Sequence, residues 1–309
     1  MSDAGCIFCH SDSQDIVIEE NGFTGRRCPD CGLIYVSPRP SPQVIQQLYS
    51  QDEAHFSAER QLAAAYYSTL RARHNLLIIK KYVGQGRLLE IGAGAGCFAS
   101  QAQKAGFTPY AVESSPVLAQ FINGQHKITC KSSLNDFANM RFDIVYHCDV
   151  LSHFYDPIED FRQINNLLAD NGLLVFETGN LADVSSGYLG FIDCFQYPEH
   201  LFFFGRKSIG KLLDAAGFEL IEIHSRNILF VLAALWCKNR IENIFSFLRP
   251  KRRQTDISSD RRIADNSYGS KPRLAQKIYN TFIYALIYEL GRVHLPNCPQ
   301  TLLVIARKK

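Results

Sequence analysis

Four cysteines near the start of the chain carry its plainest chemistry. Cys6-x2-Cys9 and Cys28-x2-Cys31 are separated by residues 10–27. Each pair fits a turn that aims two thiolates at one ion, and four thiolates close a tetrahedral shell around zinc with no position left for water. Cys28-Pro-Asp-Cys31-Gly reads as a knuckle in which the glycine lets the backbone curl and point its amides at sulfur, while Arg26 and Arg27 offset the thiolate charge. His10, beside Cys9, is either a substitute ligand or a solvated loop residue. A closed shell predicts a structural Zn2+ without redox or hydrolytic chemistry.

Two further groupings have the residue types of a reaction site. Glu90-x-Gly92-x-Gly94-x-Gly96 follows the apolar run Leu88, Leu89, Ile91, so a buried strand turns tightly into a helix whose first amides stay free. A dinucleotide fingerprint would place its third small residue three positions after Gly94, where Cys97 stands. Farther along, Tyr197-Pro-Glu199-His200 gathers a phenol, a carboxylate and an imidazole within four residues, the groups that a proton abstraction uses, and also the groups of a structural His–Glu pair.

The elements that must position these groups alternate strand and helix. Thr108 to Val112 reads as a second strand ending on Glu113, where a carboxylate can accept two ribose hydroxyl protons. Ile128 to Cys130 is a weak third strand, followed by Asp136, which serves either as a reader of an adenine amine or as a cap. Phe142 to His147 is a buried strand; in a doubly wound sheet its end lies beside the glycine turn, bringing Cys148, Asp149 and His153 to one crevice. Asp156 and Pro157 open a helix over Ile158 to Ala169, Leu173 to Glu177 is a fifth strand, and Ser208 to Ala216 is another helix. Glu219 to Ile223 and Thr301 to Ala306 are the last strands. Upstream, Ser37-Pro-Arg-Pro-Ser-Pro42 marks a boundary, and helical spacing from Gln43 to Tyr82 includes Tyr49, Tyr66 and Tyr67, which either cap a cationic ligand or pack as ordinary core tyrosines.

Glu-x-Gly-x-Gly-x-Gly, the strand-end Glu113, and the stretch FDIVYHCDVLSHFYDPIEDFRQINNLLADNGLLVFETGN resemble the class I methyltransferases that use S-adenosylmethionine, specifically bacterial enzymes with an amino-terminal zinc module, some of which methylate deoxysugar nucleotides. The resemblance implies an α/β fold: a seven-stranded Rossmann-like sheet whose last two strands form an antiparallel hairpin, with a zinc ribbon at 1–40, a helical connector at 41–83 and the transferase domain at 84–309. It implies S-adenosylmethionine held by Glu90, Gly92, Gly94, Gly96, Glu113, Asp136 and Asp149, with an acid suitably placed near the ligand's ammonium and sulfonium. The Tyr-x-Glu-His-Leu segment, within 181–207, lies on the acceptor side of the methyl group in that family. His200 is then the general base, Glu199 its orienting carboxylate and Tyr197 a partner for a sugar hydroxyl. The implied acceptor is a nucleotide sugar or a glycan or lipid-linked precursor, with a quinone-like or lipid acceptor as the alternative. The rival classes are a cofactor-fold protein that only docks partners, and a nicotinamide enzyme.

Composition fits such an enzyme. The 309 residues are 46% hydrophobic and 20% charged, and a net charge of +3 argues against nucleic acid as the main partner. Neither a secretory n-region nor an apolar run of membrane-spanning length is present, so a cytoplasmic protein is expected. Charge is uneven, however: residues 238–277 hold eleven Lys or Arg against four Asp or Glu. This basic stretch lies in an insertion, 225–298, expected to form a helical lobe. Its apolar flanks within 228–290 either contact the inner membrane face with the basic loop on anionic headgroups or dock onto the core.

Overall fold

The computed structural model describes residues 4–45, 65–190, 192, 195–229, 231–232, 281–282, 285–293 and 295–309. Tyr49, most of the connector from 46 to 64, the side chain of Tyr66 and the basic stretch 238–277 lie outside the described residues. Among the described residues eleven strands occur in chain order: β1 (Ile16–Glu20), β2 (Phe23–Arg27), β3 (Ile34–Val36), β4 (Arg87–Ile91), β5 (Thr108–Val112), β6 (Thr129–Lys131), β7 (Phe142–Cys148), β8 (Leu168–Gly179), β9 (Phe202–Phe203), β10 (Phe218–Asn227) and β11 (Gln300–Lys308). The α-helices whose bounds fall within the described residues are α1 (Ala65–Ile79), α2 (Cys97–Lys104), α3 (Pro116–Phe121), α4 (Pro157–Leu167), α5 (Ser186–Leu189) and α6 (Arg206–Ala215).

Seven strands make the main sheet, ordered β6-β5-β4-β7-β8-β11-β10. β6, β5, β4, β7 and β8 are mutually parallel, while β11 runs antiparallel to both β8 and β10. This is the methyltransferase topology expected from the sequence, including the antiparallel pair at one edge. The central strands are apolar on both faces because helices cover both. α1 and α2 pack one side through Ile79, Phe98 and Ala102, and α4 and α6 pack the other through Phe161, Ile164 and Leu212.

Local chemistry sets the helix boundaries. The Glu159 amide donates to Asp156 Oδ1 at 3.2 Å, Pro157 takes the first helical position, and Pro157, Phe161, Ile164 and Leu167 form the buried stripe of α4. That helix stops at Leu167, two residues before its expected end at Ala169. Leu168 already pairs with Phe142 across the β7–β8 ladder, so the strand claims it. The last two strands also run beyond their expected bounds, since pairing continues from Phe218 opposite Lys308 to Asn227 opposite Gln300.

A second, four-stranded antiparallel sheet holds β1, β2, β3 and, from far down the chain, β9. Ile34 pairs with Phe203 and Tyr35 with Phe202. Cys6, Cys28, Cys31, Leu33 and Tyr35 therefore share one continuous core with Leu201, Phe202 and Phe204. Full burial of each such aliphatic or aromatic side chain is worth about 1.5–3 kcal/mol relative to exposure, so the amino-terminal sheet is fastened to the main domain rather than tethered by its linker alone.

Candidate functional site

The carboxyl ends of β4, β5, β7 and β8 open into one cleft of about 1000 Å³. Ligands in open α/β sheets bind at this place. Glu90, Gly92, Gly94, Glu113 and Asp149 all line the cleft, as do Cys148, His153 and His200. Gly96 and Asp136 do not. Gly96 caps α2 with φ 74°, and Asp136 accepts the Ser133 amide at 3.1 Å in the capping box of the 3-10 turn Leu134–Phe137. The cap alternative for Asp136 is thus the one the geometry displays.

At the glycine turn, Gly92 has φ 68°, and a Cβ there would lie 2.6 Å from Val150 Cγ2. Gly94 has φ 55° and donates its amide to Glu113 Oε2 at 2.7 Å, while the Ser115 amide donates to Oε1 at 2.9 Å. These two bonds fix the Glu113 carboxylate at the strand end, and burial raises its pKa despite them. Glu90 is also buried, and its pKa is pushed up to about 8 by desolvation, partly countered by the Ala99 amide, which donates to Oε2 at 2.9 Å. The expectation that the first amides of α2 stay free is corrected at this point: a carboxylate from the preceding strand takes the third one.

His200 lines the same cleft. Its ring lies 4.6 Å from that of His153 and 5.7 Å from Phe203, and its Nδ1 is buried without a hydrogen-bond partner. Burial lowers its pKa, against the opposite pull of Asp149 and the Phe195 backbone, so the neutral, proton-accepting form is favoured. Tyr197 and Glu199 are not brought to the cleft with it. Tyr197 is 3% exposed, with its ring in the apolar cluster of the amino-terminal sheet and its hydroxyl against Gly25. Glu199 sits in the turn before His200, outside the cleft wall. The reason is conformational: Gln196 adopts φ 62° and accepts amides from both Glu199 and His200, which turns neighbouring side chains in different directions.

The segment carrying His200 is held by the amino-terminal sheet. The Phe195 and Tyr197 amides donate to Glu20 Oε1 and Oε2 at 2.8 and 2.6 Å, and Asn21 Nδ2 donates to the Tyr197 carbonyl at 2.7 Å. Leu201 donates its amide to Ser152 O, Val36 donates to Leu201 O, and the Arg39 guanidinium lies 4.7 Å from the centre of the Phe202 ring.

Arg71 and Glu177 were not foreseen. Arg71, on α1, lies 3.3 Å from both Asp149 Oδ2 and Glu177 Oε1 and lines the cleft. Asn75, one helical turn later, donates to Glu177 Oε2 at 2.9 Å and to the Tyr146 hydroxyl at 3.0 Å. Burial works against the Arg71 charge, but Cys148, Glu177 and Asp149 outweigh it and hold the guanidinium ionised. The i, i+4 spacing of Arg71 and Asn75 puts both on one helix face, but Arg73 and His74 between them leave no distinctive signal in the sequence.

The four amino-terminal cysteines converge. Cys6 and Cys31 sulfurs are 3.5 Å apart, as are those of Cys9 and Cys28, and Cys6, Cys9 and Cys28 lie within 4.8 Å of one another. Four sulfurs about 2.3 Å from one zinc stand roughly 3.8 Å apart, so the set fits a tetrahedral shell. His10 and Gly32, each directly after a pair, adopt φ 58° and 76°, which closes the two knuckles. Burial alone would raise the Cys28 thiol, but hydrogen bonds from the Cys31 and Asp30 amides bring it down to about 6. Burial raises Cys6 and Cys31, an imbalance that a divalent cation would remove.

A family model described as a methyltransferase domain matches residues 56–223. No curated protein sequence matches the chain. Among solved structures, a protein from Galdieria sulphuraria described as a sarcosine dimethylglycine methyltransferase is similar with a TM-score of 0.48 and 16% identity, over 79% of this chain and 86% of that one. A coclaurine N-methyltransferase bound to N-methylheliamine and SAH gives 0.47 and 12%, over 86% and 82%. A SAM dependent methyltransferase from Archaeoglobus fulgidus gives 0.46 and 15%, over 79% and 94%. With more than half its length matched by the family model, and with the sheet order and cleft described above, the chain belongs to the methyltransferase domain family.

Proposed function

We propose that this protein transfers a methyl group from S-adenosylmethionine to a small-molecule acceptor, with His200 as general base. The observation that carries the reading is that Glu113, fixed by the Gly94 and Ser115 amides, and the buried imidazole of His200, whose pKa burial lowers, line one cleft. The cofactor, when bound, supplies an electrophilic methyl group on a sulfonium. Glu113 would accept its ribose hydroxyls, and the close approach permitted by Gly92 and Gly94 would seat the ligand against the turn. Arg71 and Asp149, together at the cleft edge, offer one charge each for the methionine carboxylate and ammonium. His200 would hold the acceptor and take its proton, worth roughly 10² to 10⁴ in rate, while exclusion of water by the surrounding phenylalanines keeps the imidazole neutral.

The acceptor class in this reading is a nucleotide sugar or a glycan or lipid-linked precursor. A second reading, a quinone-like or lipid acceptor, is favoured by the aromatic wall of Phe154, Phe195 and Phe203 around His200. Calorimetry with S-adenosylhomocysteine against NAD tests the cofactor, and a mass-shift screen of both acceptor classes with labelled donor tests the acceptor. Saturable binding of NAD in place of S-adenosylhomocysteine would refute the assignment.

Cys6, Cys9, Cys28 and Cys31 would hold one structural zinc ion in a ribbon whose task is to present Glu20 and Asn21 to the His200 segment. Metal analysis is expected to return about one equivalent, and Cys28→Ser is expected to lower folding yield, since ligand loss removes folding free energy. A metal-free, fully folded protein would sink the zinc assignment.

A further inference from the structure

Glu177 stands between the cleft and a second cavity of about 230 Å³. One of its oxygens takes Arg71 on the cleft side. The other takes Asn75 at 2.9 Å and Arg226 at 3.7 Å, and both of these residues line the second cavity. α1 contributes His74 and Asn75 to the cavity wall. β10 contributes His224 and Arg226, two residues apart and so on the same face of the strand, and residues 285–293 contribute Tyr288 and Arg292.

The wall is rich in donors, and no carboxylate is among its described lining residues. The guanidinium carbons of Arg226 and Arg292 lie 5.0 and 5.3 Å from the centre of the Tyr288 ring, which gathers two cations around one aromatic residue. The Tyr288 hydroxyl in turn lies 2.7 Å from His74 Nε2. Arg292 has an ion pair with Glu289 at 3.3 Å, but both side chains are more than half exposed, where such pairs are weak. One group in this wall calls for a hydrogen-bond donor: Asn75 is 0% exposed, both known bonds of its amide are made by Nδ2, and its Oδ1 is buried without a partner. A buried acceptor left unpaired costs about 1–3 kcal/mol, so an occupant that donates to it gains that much over one that does not.

We propose that this cavity binds a hydrogen phosphate group, with Arg226 and Arg292 on its charged oxygens and its P–OH donating to Asn75 Oδ1. Arginine suits such an oxyanion because its planar fork matches two oxygens at once. His74 agrees with the charge argument: burial first, and then the nearby Arg226 and Arg292, holds its pKa down to about 4. A free phosphate and one borne by a lipid headgroup present the same chemistry to this wall.

Titration calorimetry of the full chain with inorganic phosphate, with sulfate, and with phosphatidylcholine vesicles with and without phosphatidic acid tests this. Saturable phosphate binding is expected, at least tenfold tighter than sulfate, which has no proton to donate at neutral pH. Arg292→Gln is expected to weaken it at least tenfold, and Arg226→Gln with Arg292→Gln to abolish it. Tighter binding to the phosphatidic acid vesicles than to inorganic phosphate, with the same dependence on both arginines, would assign the site to a lipid headgroup; the reverse would assign it to free phosphate. Arg292 is exposed and has no part in the core, so this single variant decides if the double one folds poorly. The proposal is overturned by a lack of saturable phosphate or vesicle binding, by binding that survives both substitutions, or by equal affinity for sulfate.

Discussion

The two ends of the cleft are built in opposite ways. At the glycine turn, the two buried acids are fixed by backbone amides of one short stretch, Glu90 by Ala99 and Glu113 by Gly94 and Ser115, with Arg71 and Asp149 added from farther off. At the His200 end, the backbone is held by Glu20, 175 residues away from Phe195 in sequence. Both ends use burial to keep an ionisable group neutral, Glu90 by raising its pKa and His200 by lowering it. In the proposed reaction, however, a cationic ligand would restore the Glu90 charge, whereas His200 needs its neutrality to accept a proton. The difference teaches that the cofactor side is positioned mainly by local backbone bonds within the main sheet, while the acceptor side depends on a separate sheet for its position.

The comparison breaks most sharply at Gly94. Its φ of 55° lies where a β-branched residue is a strong outlier, so Gly94→Val should abolish S-adenosylhomocysteine binding in calorimetry while leaving zinc content unchanged. Next in size, His200→Ala should cut turnover by about 10² or more with cofactor affinity nearly intact, the signature of an interaction made in the transition state. Because its pKa is depressed, the wild-type rate should fall with acidification through a midpoint below the usual histidine value of about 6.5. An unchanged turnover in His200→Ala would leave the reaction to proximity alone.

The same contrast explains what could be read before the fold was known. The glycine turn, Glu113 and the cysteine pairs announce themselves by spacing within a few residues, and Thr108–Val112 was delimited to the residue because turn signals bracket it. The seven-stranded sheet with its antiparallel last pair followed from the family resemblance carried by these local motifs. What escaped was long-range. Nothing in Phe202 and Phe203 says that they will pair with Tyr35 and Ile34, and so nothing says that Tyr197 will be turned into the amino-terminal sheet and away from the cleft. Arg71 and Glu177 are 106 residues apart, and each alone reads as an ordinary surface or strand-end charge.

A smaller effect is expected where the two sheets meet. Glu20→Ala leaves the Phe195 and Tyr197 amides without their carboxylate, and turnover should drop about 3- to 30-fold through misplacement of His200, short of the 10²-fold that a 1 Å shift can cost. Cofactor affinity should not move, because no residue of the glycine turn touches this clamp. Glu20→Gln, which keeps one accepting oxygen, should recover part of the loss. Equal loss of cofactor affinity and turnover in Glu20→Ala would mean that the amino-terminal sheet supports the whole domain rather than the acceptor side.

The smallest effect concerns protons at the cofactor end. In the free protein burial pushes the Glu90 pKa up to about 8, which favours the protonated carboxyl at pH 7. A ligand bearing an ammonium and a sulfonium favours the ionised carboxylate and lowers that pKa, so binding should release a fraction of a proton approaching one. The sign follows from linkage: a proton released on binding makes affinity rise with pH, and the rise should be less than tenfold between pH 6.5 and 7.5, flattening as pH passes 8. The ligand's own amine, with an ordinary α-amino pKa of about 7.7–8.0, deprotonates over the upper part of this range with the opposite sign, so the low end of the window is the informative one. Calorimetry in two buffers of different ionisation enthalpy reads the proton count directly. Glu90→Gln separates the carboxylate from the ligand, because it keeps an oxygen for the Ala99 amide but cannot ionise. Proton release should vanish in that variant, and affinity should become flat across the window. Release that persists in Glu90→Gln would move the titrating group to Glu113, the other buried acid of the turn, whose pKa burial also raises.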